Sequence, residues 1–358
     1  MSSRPERNFR IAVIPGDGIG QEVVPEGIRA LEAAAEAFEF SLSWHNFDWS
    51  CETYRKTGRM MPENGLDLLR PFDAIFLGAV GHPNVPDHVS LWGLLIPIRR
   101  AFRQYVNLRP VKLFEGIDSP LRNVGPSDVD MVIVRENNEG EYSEIGGRLY
   151  ENTDEEMAIQ QTVFTRRGVD RVLRFAFDLA GKRRKHVTSA TKSNGIIHTM
   201  PFWDERFTNM GREYPEIRTD QFHIDILTAH FVRHPDWFDV VVGSNLFGDI
   251  LSDLGPAVAG SIGMAPSANL NPEREFPSMF EPVHGSAPDI AGMGIANPIG
   301  QIGSGAMMLR HLGEVEAADA VERAIASVLA LSRRRTPDIG GNSTTREMGE
   351  EIAAGITR

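Results

Sequence analysis

Two aspartates and five arginines carry charges that could bind and activate a small ligand. Asp249 and Asp253 are four residues apart in GSNLFGDILSDL, so a helix would place both carboxylates on one face. Adjacent carboxylates repel each other, and a hard divalent cation such as Mg²⁺ or Mn²⁺, which takes oxygen ligands, would relieve that repulsion. An exposed acidic pair without a ligand is the alternative interpretation of this spacing.

The arginines are Arg99, Arg100, Arg103 and Arg109, in IPIRRAFRQYVNLRP, and Arg135, directly after the apolar run MVIV. A planar guanidinium binds a carboxylate through two parallel hydrogen bonds, so arginines are typical of carboxylate sites. Arg135 also ends a predicted buried strand, and α/β proteins bind ligands at the carboxyl ends of their strands. A solvated helix face, or a salt bridge with a neighbouring glutamate, would explain the same residues without a ligand.

Lys192 is a candidate for proton transfer, and Tyr142 is a further polar residue close to the predicted strand ends. Tyr142 follows shortly after Arg135, and Lys192 directly follows the strand-like segment HVTSAT. A partly desolvated lysine can have its pKa lowered enough to act as a general base, although a lone lysine is more often a surface residue. The sequence contains no His/Cys cluster suited to zinc and no G-x-S-x-G serine motif.

The elements that must position these residues are short apolar runs that alternate with longer amphipathic segments. The predicted strands are RIAVIP, FSLSWHNF, DAIFLGAV, DMVIVRE, HVTSATK and FDVVVGS, and the predicted helices include EGIRALEAAAEAF, RRGVDRVLRFAFDLA and EVEAADAVERAIASVLALSR. This alternation predicts an α/β fold with a mostly parallel sheet. The polar stretch 137–156 fits neither pattern, and we interpret it as either an arm onto a partner subunit or a plain surface loop.

The first predicted strand runs into the glycine-rich segment IPGDGIGQE. A dinucleotide fingerprint requires G-x-G-x-x-G and an acidic residue about 20 positions later. Here Gly16, Gly18 and Gly20 give G-x-G-x-G, Gln21 stands where the third glycine belongs, and the next predicted strand does not end in an evident ribose-binding acid. The glycines therefore predict a tight turn but not a true Rossmann cofactor cradle.

Composition argues against several classes of protein. The chain has 358 residues and a formal net charge of −12, which argues against a general nucleic-acid surface. No apolar run reaches the roughly 18 residues needed to span a bilayer, and the start, MSSRPERNFR, has no apolar signal region. The single cysteine, Cys51, excludes an intramolecular disulfide framework and fits a reducing cytoplasm. We expect a cytoplasmic protein that binds neither nucleic acid nor membrane.

Six segments, in order along the chain, resemble the β-decarboxylating dehydrogenases, a family that includes isocitrate, 3-isopropylmalate, D-malate and tartrate dehydrogenases. The segments are IPGDGIGQE, NLRP, VRENNEGEY, TKSN, GSNLFGDILSDL and FEPVHGSAPDIAGMGIANPIGQI. The resemblance implies two α/β domains, a mostly parallel sheet and an active site in the cleft between the domains, not a true Rossmann fold. The expected first domain combines 1–104 with 260–358, and the second is 105–259, with a dimer arm at about 137–156.

The resemblance also implies where NAD binds. Glu281 would lie near the nicotinamide. The residues expected to line the adenosine are His284, Gly285, Ser286, Ala287, Asp289, Ile290 and Asn297. Asp289 can hydrogen-bond a ribose diol but would repel the 2′-phosphate of NADP, and no Lys or Arg lies in 284–298. NADP-dependent relatives carry Lys-Tyr at the positions of Asp289 and Ile290, so we expect NAD.

By the same resemblance, one group of residues binds the substrate and another binds Mg²⁺ or Mn²⁺. The expected substrate-binding residues are Arg99, Arg109, Arg135 and Asn194. The expected metal ligands are Asp249, Asp253 and, from a second subunit, Asp225. Lys192, also from the second subunit, would take the substrate's hydroxyl proton, and Tyr142 would direct protonation after loss of CO₂. Sharing of this kind implies a homodimer; K⁺ is common among relatives, although no residue pattern here indicates it.

Substrate specificity in the family is set beside the first arginine, in SLWGLLIPIRR. Isocitrate enzymes have a serine and an asparagine where this chain has Gly93 and Leu95, which argues against isocitrate. Leu95 and Ile96 are apolar as in isopropylmalate enzymes, but Trp92 replaces their glutamate, and its indole should shrink the pocket. We expect oxidative decarboxylation of D-malate to pyruvate, with tartrates as related substrates and 3-isopropylmalate as the alternative. A non-catalytic regulatory subunit is a further alternative, against which the retained tyrosine, lysine and aspartates argue.

Overall fold

Strands and helices alternate along the chain in the computed structural model, which describes residues 7–331 and 334–357. The strands are β1 (Asn8–Gly16), β2 (Ser41–Asn46), β3 (Ala74–Ala79), β4 (Val106–Lys112), β5 (Asp130–Glu136), β6 (Gly146–Leu149), β7 (Met157–Gln160), β8 (His186–Thr191), β9 (Arg218–His223), β10 (Val240–Gly243), β11 (Pro266–Leu270) and β12 (Ser278–Pro282). The helices are α1 (Gly20–Phe38), α2 (Cys51–Thr57), α3 (Gly65–Leu69), α4 (Asp87–Ser90), α5 (Ile96–Ala101), α6 (Arg166–Gly181), α7 (Thr199–Glu213), α8 (Ile224–Arg233), α9 (Asn245–Val258), α10 (Ile299–Leu312), α11 (Val315–Leu331) and α12 (Thr345–Ala354). A π-helical turn occupies Leu91–Leu95, and 3₁₀ turns occupy Pro235–Trp237, Ile262–Met264 and Pro337–Ile339.

The first of two compact units is formed by the described residues of Met1–Gln104, Lys112–Pro126 and Pro256–Arg358. Its strands lie in the order β2-β1-β3-β12-β11. All neighbouring pairs among them are parallel except β11 and β12, which are antiparallel. Every residue of β3 is buried, as expected for a parallel strand covered on both faces. Helix α1 packs against α10, α11 and α12, which completes the core of this unit.

The second compact unit comprises Tyr105–Val111 and Ser127–Gly255. Its strands lie in the order β4-β5-β10-β8-β9, and β5, β10, β8 and β9 run parallel to one another. The carboxyl ends of β5, β8 and β10 therefore lie along one edge, where α/β proteins place ligand-binding side chains. Helix α7 closes one face through Trp203, which is fully buried and donates its indole N–H to Ser189 Oγ at 2.9 Å.

An antiparallel ribbon, β6 with β7, stands apart from the larger sheet of the second unit. The apolar side chains of Ile145, Leu149, Met157 and Ile159 on and beside it are 45–52% exposed. The ribbon extends to Gln160, beyond the predicted excursion 137–156. Its function as a dimer arm stays a prediction.

The predicted α/β class with a mostly parallel sheet is confirmed, and all six predicted strands are present. The sequence patterns did not indicate β4, β9, β11 or β12. The segment Lys112–Pro126 groups with the first unit, where Ser119 Oγ donates to the Val258 carbonyl at 2.7 Å, whereas the expected domain division places it in the second. Among the described residues, no helix combines the length and the apolar character needed to cross a membrane.

Candidate active site

A close approach between α9 and β5 sets the position of the candidate site in the second unit. Helix α9 begins directly after β10, and its Gly248 lies against the stem of Arg135 at the end of β5. A Cβ at Gly248 would lie only 2.5 Å from Arg135 Cβ and 2.6 Å from Arg135 Cγ. Glycine is therefore required there, and it brings the next residue, Asp249, within reach of the Arg135 guanidinium.

Asp249 is the centre of a cluster of charged and hydroxyl side chains. Arg135 donates to Asp249 Oδ1, and Tyr142 OH donates to Asp249 Oδ2 at 2.9 Å. Arg109 Nη1 lies 3.6 Å from Asp249 Oδ1 and 3.8 Å from Asp253 Oδ1. The structure thus brings together five predicted site residues that are separated by up to 144 positions in sequence (253 less 109).

Two residues that the sequence analysis missed orient the arginines of this cluster. Asn245 Oδ1 accepts from Arg135 Nε at 3.1 Å and from Arg135 Nη2 at 2.7 Å. Ser252 Oγ accepts from Arg109 Nη1 at 2.5 Å. Both lie in GSNLFGDILSDL, and both are buried in the structure. The available sequence signals were a polar residue at the start of the predicted helix, Asn245, and a polar residue beside its apolar face, Ser252.

Burial distinguishes the arginines from the aspartates. The side chains of Arg135 and Arg109 are 3% and 9% exposed, whereas those of Asp249 and Asp253 are 34% and 65% exposed. Partial burial raises the pKa of the Asp253 carboxyl, and the Asp249 charge raises it further, against the opposing effect of Arg109 and Arg135. The two carboxylates repel each other and lie on the more exposed side of the two buried arginines. Such a site could bind a cation at the carboxylates and an anionic ligand at the arginines.

The oxygen donors fit a hard divalent cation, but within this chain the set is incomplete. Asp249 and Asp253 supply carboxylates of the kind that Mg²⁺ and Mn²⁺ prefer. Across the described ranges, no three His, Cys, Asp or Glu side chains gather in a metal-binding arrangement. A further donor would therefore have to come from water, from the substrate or from another chain.

Lys192 and Asp225 form a separate pair in the second unit. Lys192 Nζ donates to Asp225 Oδ1 at 2.9 Å, and this hydrogen bond is the main reason that the pKa of Asp225 is lowered. Within the described part of the chain, neither residue forms a hydrogen bond or ion pair with Asp249 or Tyr142. Asn194 is exposed in the turn that follows Lys192.

The loop between β5 and Tyr142 is held by its own acidic residues. Glu136 is fully buried and accepts from the backbone N–H groups of Asn138 and Glu139 at 2.9 and 2.8 Å. Burial raises the pKa of Glu136 to about 7. Glu141 accepts from Ser244 Oγ and from the Leu246 N–H, and so caps the start of α9. These glutamates position the loop that carries Tyr142.

In the first unit, Arg99 and Glu281 form a buried ion pair. Arg99 Nη2 lies 2.8 Å from Glu281 Oε1, and both side chains are less than 10% exposed. Glu281 Oε1 also accepts from Asn269 Nδ2 at 2.6 Å. The predicted first substrate arginine and the predicted nicotinamide-side glutamate therefore contact each other directly.

The three predicted specificity residues lie on the helical stretch before Arg99. Trp92 and Leu95 are half-buried in the π-helical turn, and Ile96 is buried at the start of α5. The guanidinium carbon of Arg100 lies 4.9 Å from the Trp92 ring centre. This distance is within the range of a cation–π interaction.

The glycine turn after β1 is built from main-chain contacts. Gly16 and Gly18 have φ values of +71° and +53°, and a Cβ on Gly18 would overlap the Ser286 carbonyl oxygen. The Ile19 N–H donates to that same oxygen at 2.9 Å. Asp17 is buried and accepts from the N–H groups of Cys51 and Gly81 at 3.0 and 3.1 Å. The turn therefore anchors the loop that carries the predicted cofactor residues.

The predicted cofactor loop has features that fit NAD. His284 Nε2 is buried and has no hydrogen-bond partner among the described residues, and burial lowers the pKa of this histidine. Gly285 faces open space, whereas Ala287 is held at a φ of +41°. Asp289 is exposed, as a ribose ligand requires.

The remaining loop residues tie the loop to its surroundings. Ser286 is buried, and Ile290 packs with Ile19 and Val23. Asn297 donates from Nδ2 to Asp338 Oδ2 at 3.0 Å and accepts from the Ile299 N–H at 3.0 Å. The loop thus offers an unsatisfied buried imidazole nitrogen and, five residues later, an exposed carboxylate, two groups that could hydrogen-bond a dinucleotide.

Comparisons with known proteins place the whole chain in one family. Residues 10–352 match the family model described as isocitrate/isopropylmalate dehydrogenase. The chain is 59% identical over 360 residues to D-malate dehydrogenase [decarboxylating] of Escherichia coli (strain K12), an alignment that covers 98% of this chain and 99% of that protein. It is 57% identical to tartrate dehydrogenase/decarboxylase of Pseudomonas putida, with 99% of each chain covered.

A solved structure agrees with this result. The crystal structure of isocitrate dehydrogenase from Methylococcus capsulatus superimposes with a TM-score of 0.88 at 37% identity, covering 98% of this chain and all of that one. The resemblance found in the sequence motifs is confirmed, and the chain belongs to the isocitrate/isopropylmalate dehydrogenase family.

Proposed function

We propose that this enzyme oxidises D-malate with NAD⁺ and a divalent cation and decarboxylates it to pyruvate, with tartrates as related substrates. The observation that carries the proposal is the cluster in which two buried arginines, Arg109 and Arg135, meet Asp249 and Tyr142. Support also comes from the full-length relatives at 59% and 57% identity, which are a D-malate dehydrogenase and a tartrate dehydrogenase/decarboxylase.

Arg109 and Arg135 would bind the substrate carboxylates, because a planar guanidinium can donate two parallel hydrogen bonds to a carboxylate. Arg99 is the third proposed carboxylate ligand, and its pairing with Glu281 gives it a fixed orientation. The arginines supply local positive charge for a dicarboxylate in a chain whose net charge is −12. The site therefore selects a dicarboxylate by local rather than overall charge.

Asp249 and Asp253, with Asp225 from a second subunit, would hold Mg²⁺ or Mn²⁺, and the loop from His284 to Asn297 would hold NAD. When bound, the cation polarises the substrate oxygens and NAD⁺ accepts a hydride. The exposed Asp289 carboxylate is the residue that would favour NAD over NADP.

Two side chains would move protons. Lys192 Nζ would accept the substrate's hydroxyl proton during oxidation, and in this chain it donates a hydrogen bond to Asp225 at 2.9 Å. The Tyr142 hydroxyl would donate a proton to the carbon that has lost CO₂. Its hydrogen bond to Asp249 Oδ2 holds the phenol in a defined direction.

A homodimer with shared active sites follows from the same proposal. Lys192 and Asp225 pair with each other and not with the Asp249 cluster, so the proposed base and third carboxylate would serve the cluster of another chain. The exposed apolar side chains of the β6–β7 ribbon offer a surface for that chain to cover. The single cysteine, which is buried, supports the proposed cytoplasmic location.

The test is NADH formation with Mn²⁺ by the purified protein, comparing kcat/KM for D-malate, (+)-tartrate, meso-tartrate, 3-isopropylmalate and isocitrate. We expect D-malate and the tartrates to lead by tenfold or more, which is about 1.4 kcal/mol of transition-state preference. NADP⁺ in place of NAD⁺ should lower the rate, and EDTA should abolish it. A lead for 3-isopropylmalate would replace the substrate assignment, and the apolar Leu95 and Ile96 would then explain the result.

A further inference from the structure

A π-helical turn changes which side chains share a face on the stretch that leads to Arg99. Helix α4, the turn Leu91–Leu95 and helix α5 follow one another without interruption. In a regular α-helix, residues seven apart lie within about 20° of the same direction. A π-helical turn accommodates one additional residue, so across it residues eight apart come to share a face.

Two consecutive arginines consequently have different partners. Arg100, eight residues after Trp92, places its guanidinium carbon 4.9 Å from the indole centre. Arg99, which a regular helix would direct towards Trp92, instead contacts the buried carboxylate of Glu281 at 2.8 Å. The extra residue therefore allows one arginine to reach the Glu281 carboxylate while the next one lies over the indole.

The backbone under Trp92 has little freedom to move. Gly93 lies so close to Met60 that a Cβ would come within 2.8 Å of Met60 Cγ. Leu94 and Ile98, on the opposite side, are fully buried in the core of the first unit. These contacts fix the backbone at Trp92. The orientation of the Trp92 ring therefore depends on the side chains that pack over it.

We infer that Arg100 is a positioning residue for substrate specificity: its guanidinium holds the Trp92 indole in the orientation that narrows the substrate pocket. The inference rests on the proposed function, in which Trp92 limits the size of the substrate's substituent. A planar, always charged guanidinium is suited to this task because it stacks on an indole without being neutralised.

The test compares kcat/KM for D-malate with that for 3-isopropylmalate in the wild type, Arg100→Met, Arg100→Lys, Trp92→Leu and the double variant Arg100→Met/Trp92→Leu. Where 3-isopropylmalate turnover is below detection, its Ki against D-malate replaces kcat/KM. We expect Arg100→Met to lower the preference for D-malate about threefold to tenfold, as loss of a partly buried cation–π contact implies. The change should appear mainly in the KM or Ki of the bulkier acid. Arg100→Lys should restore part of the preference, and the double variant should match Trp92→Leu.

Arg10→Met is the matched control, because Arg10 lies over Phe72 at a comparable 5.0 Å, away from Trp92. It should leave the substrate preference unchanged. A preference in Arg100→Met within twofold of the wild type would overturn the inference, and so would additive effects of Arg100→Met and Trp92→Leu.

A second readout separates this inference from the proposed function. In protein labelled with 5-fluorotryptophan, the resonance missing from Trp92→Phe identifies Trp92 among the five tryptophans. Arg100→Met should shift or broaden this resonance and leave the other four in place, and an unchanged Trp92 resonance would refute the inference. A wild type inactive on D-malate would instead refute the proposed function, and the fluorine spectrum would still decide the role of Arg100.

Discussion

The cluster around Asp249 and the turn around Gly18 hold polar groups in opposite ways. In the cluster, Arg109 and Arg135 contact Asp249 through side-chain atoms alone. In the turn, the contacts are between main-chain atoms, with the Ile19 N–H on the Ser286 carbonyl and no room for a Cβ on Gly18.

The two regions should tolerate different substitutions. Side-chain ion pairs can be opened by a ligand that brings its own charges, so the cluster should respond to a change of charge chiefly in activity. A main-chain turn has no alternative partners, so it should respond to any added atom chiefly in stability. The predictions below test this division between the two regions.

The largest expected effect is on activity in the Asp249→Asn variant. The substitution removes the charge of a proposed metal ligand and replaces one of the two oxygens that accept from Arg135 and Tyr142 with an NH₂ donor, so kcat/KM for D-malate should fall by about a hundredfold or more. The control is Asp67→Asn, whose carboxylate is exposed and 3.8 Å from Arg70. Both variants should keep the wild-type circular dichroism spectrum, and an Asp249→Asn enzyme within tenfold of the wild type would contradict the assignment.

The buried pair in the first unit should show its effect in stability. Arg99→Met would leave Glu281 buried with one partner fewer, and breaking a buried ion pair in this way costs about 3–5 kcal/mol in the free energy of unfolding. The retained Asn269 hydrogen bond favours the lower end of that range. Urea denaturation measures the change. Arg55→Met, which breaks an exposed, solvent-screened pair with Glu52, should cost much less, and equal losses in the two variants would contradict the importance of burial for the Arg99–Glu281 pair.

Gly18→Ala should destabilise the glycine turn by about 1–3 kcal/mol, because the new Cβ would overlap the Ser286 carbonyl at a left-handed φ. Gly285→Ala is a demanding control, since Gly285 precedes Ser286 and faces open space. That substitution should change the free energy of unfolding by no more than about 0.5 kcal/mol. If both variants unfold at the same urea concentration, the turn is more adaptable than its geometry indicates.

A pH-dependent effect concerns Glu136, a side chain that is held, like the turn, by main-chain N–H groups. Its pKa is about 7 in the folded chain and near 4.5 in the unfolded chain, so the folded state binds more protons between those values. Stability contributed by Glu136 should therefore fall as the pH rises from about 4.5 to 7 and level off above that range. Unfolding free energies at pH 5 and pH 8 should differ less in Glu136→Gln than in the wild type. An equal difference in both proteins would remove Glu136 as the cause.

Strands that stand out in the sequence as apolar runs, such as β5 and β10, could be predicted. The apolar runs ending at Glu136 and Gly243 are buried throughout or nearly so, and such runs are visible in any single segment of sequence. The π-helical turn was not visible, because one extra residue leaves the apolar pattern of SLWGLLIPIRR almost unchanged. The antiparallel pairing of β11 with β12 was also missed, since it depends on partners that local patterns do not report.

In the candidate site, too, local spacing could be predicted from the sequence and long-range contacts could not. Asp249 and Asp253 share a helix face because of local spacing, and a local pattern sufficed to select them. Arg99 pairs with Glu281, which is 182 positions away in the sequence. The contact of Asp253 with the buried Arg109 depends on the fold in the same way. The roles assigned to the site residues stay predictions until the substitutions above are measured.

The β6–β7 ribbon has a consequence for how this protein can be handled and monitored. Two strands without further neighbours are marginally stable in water, so the ribbon's backbone should open more often than the larger sheets. A protease added in trace amounts should therefore cleave first between 149 and 157, in the exposed connection of the ribbon. Once another surface covers the ribbon's apolar side chains, that cleavage should slow, so the rate of nicking becomes a simple gauge of assembly in crude extracts.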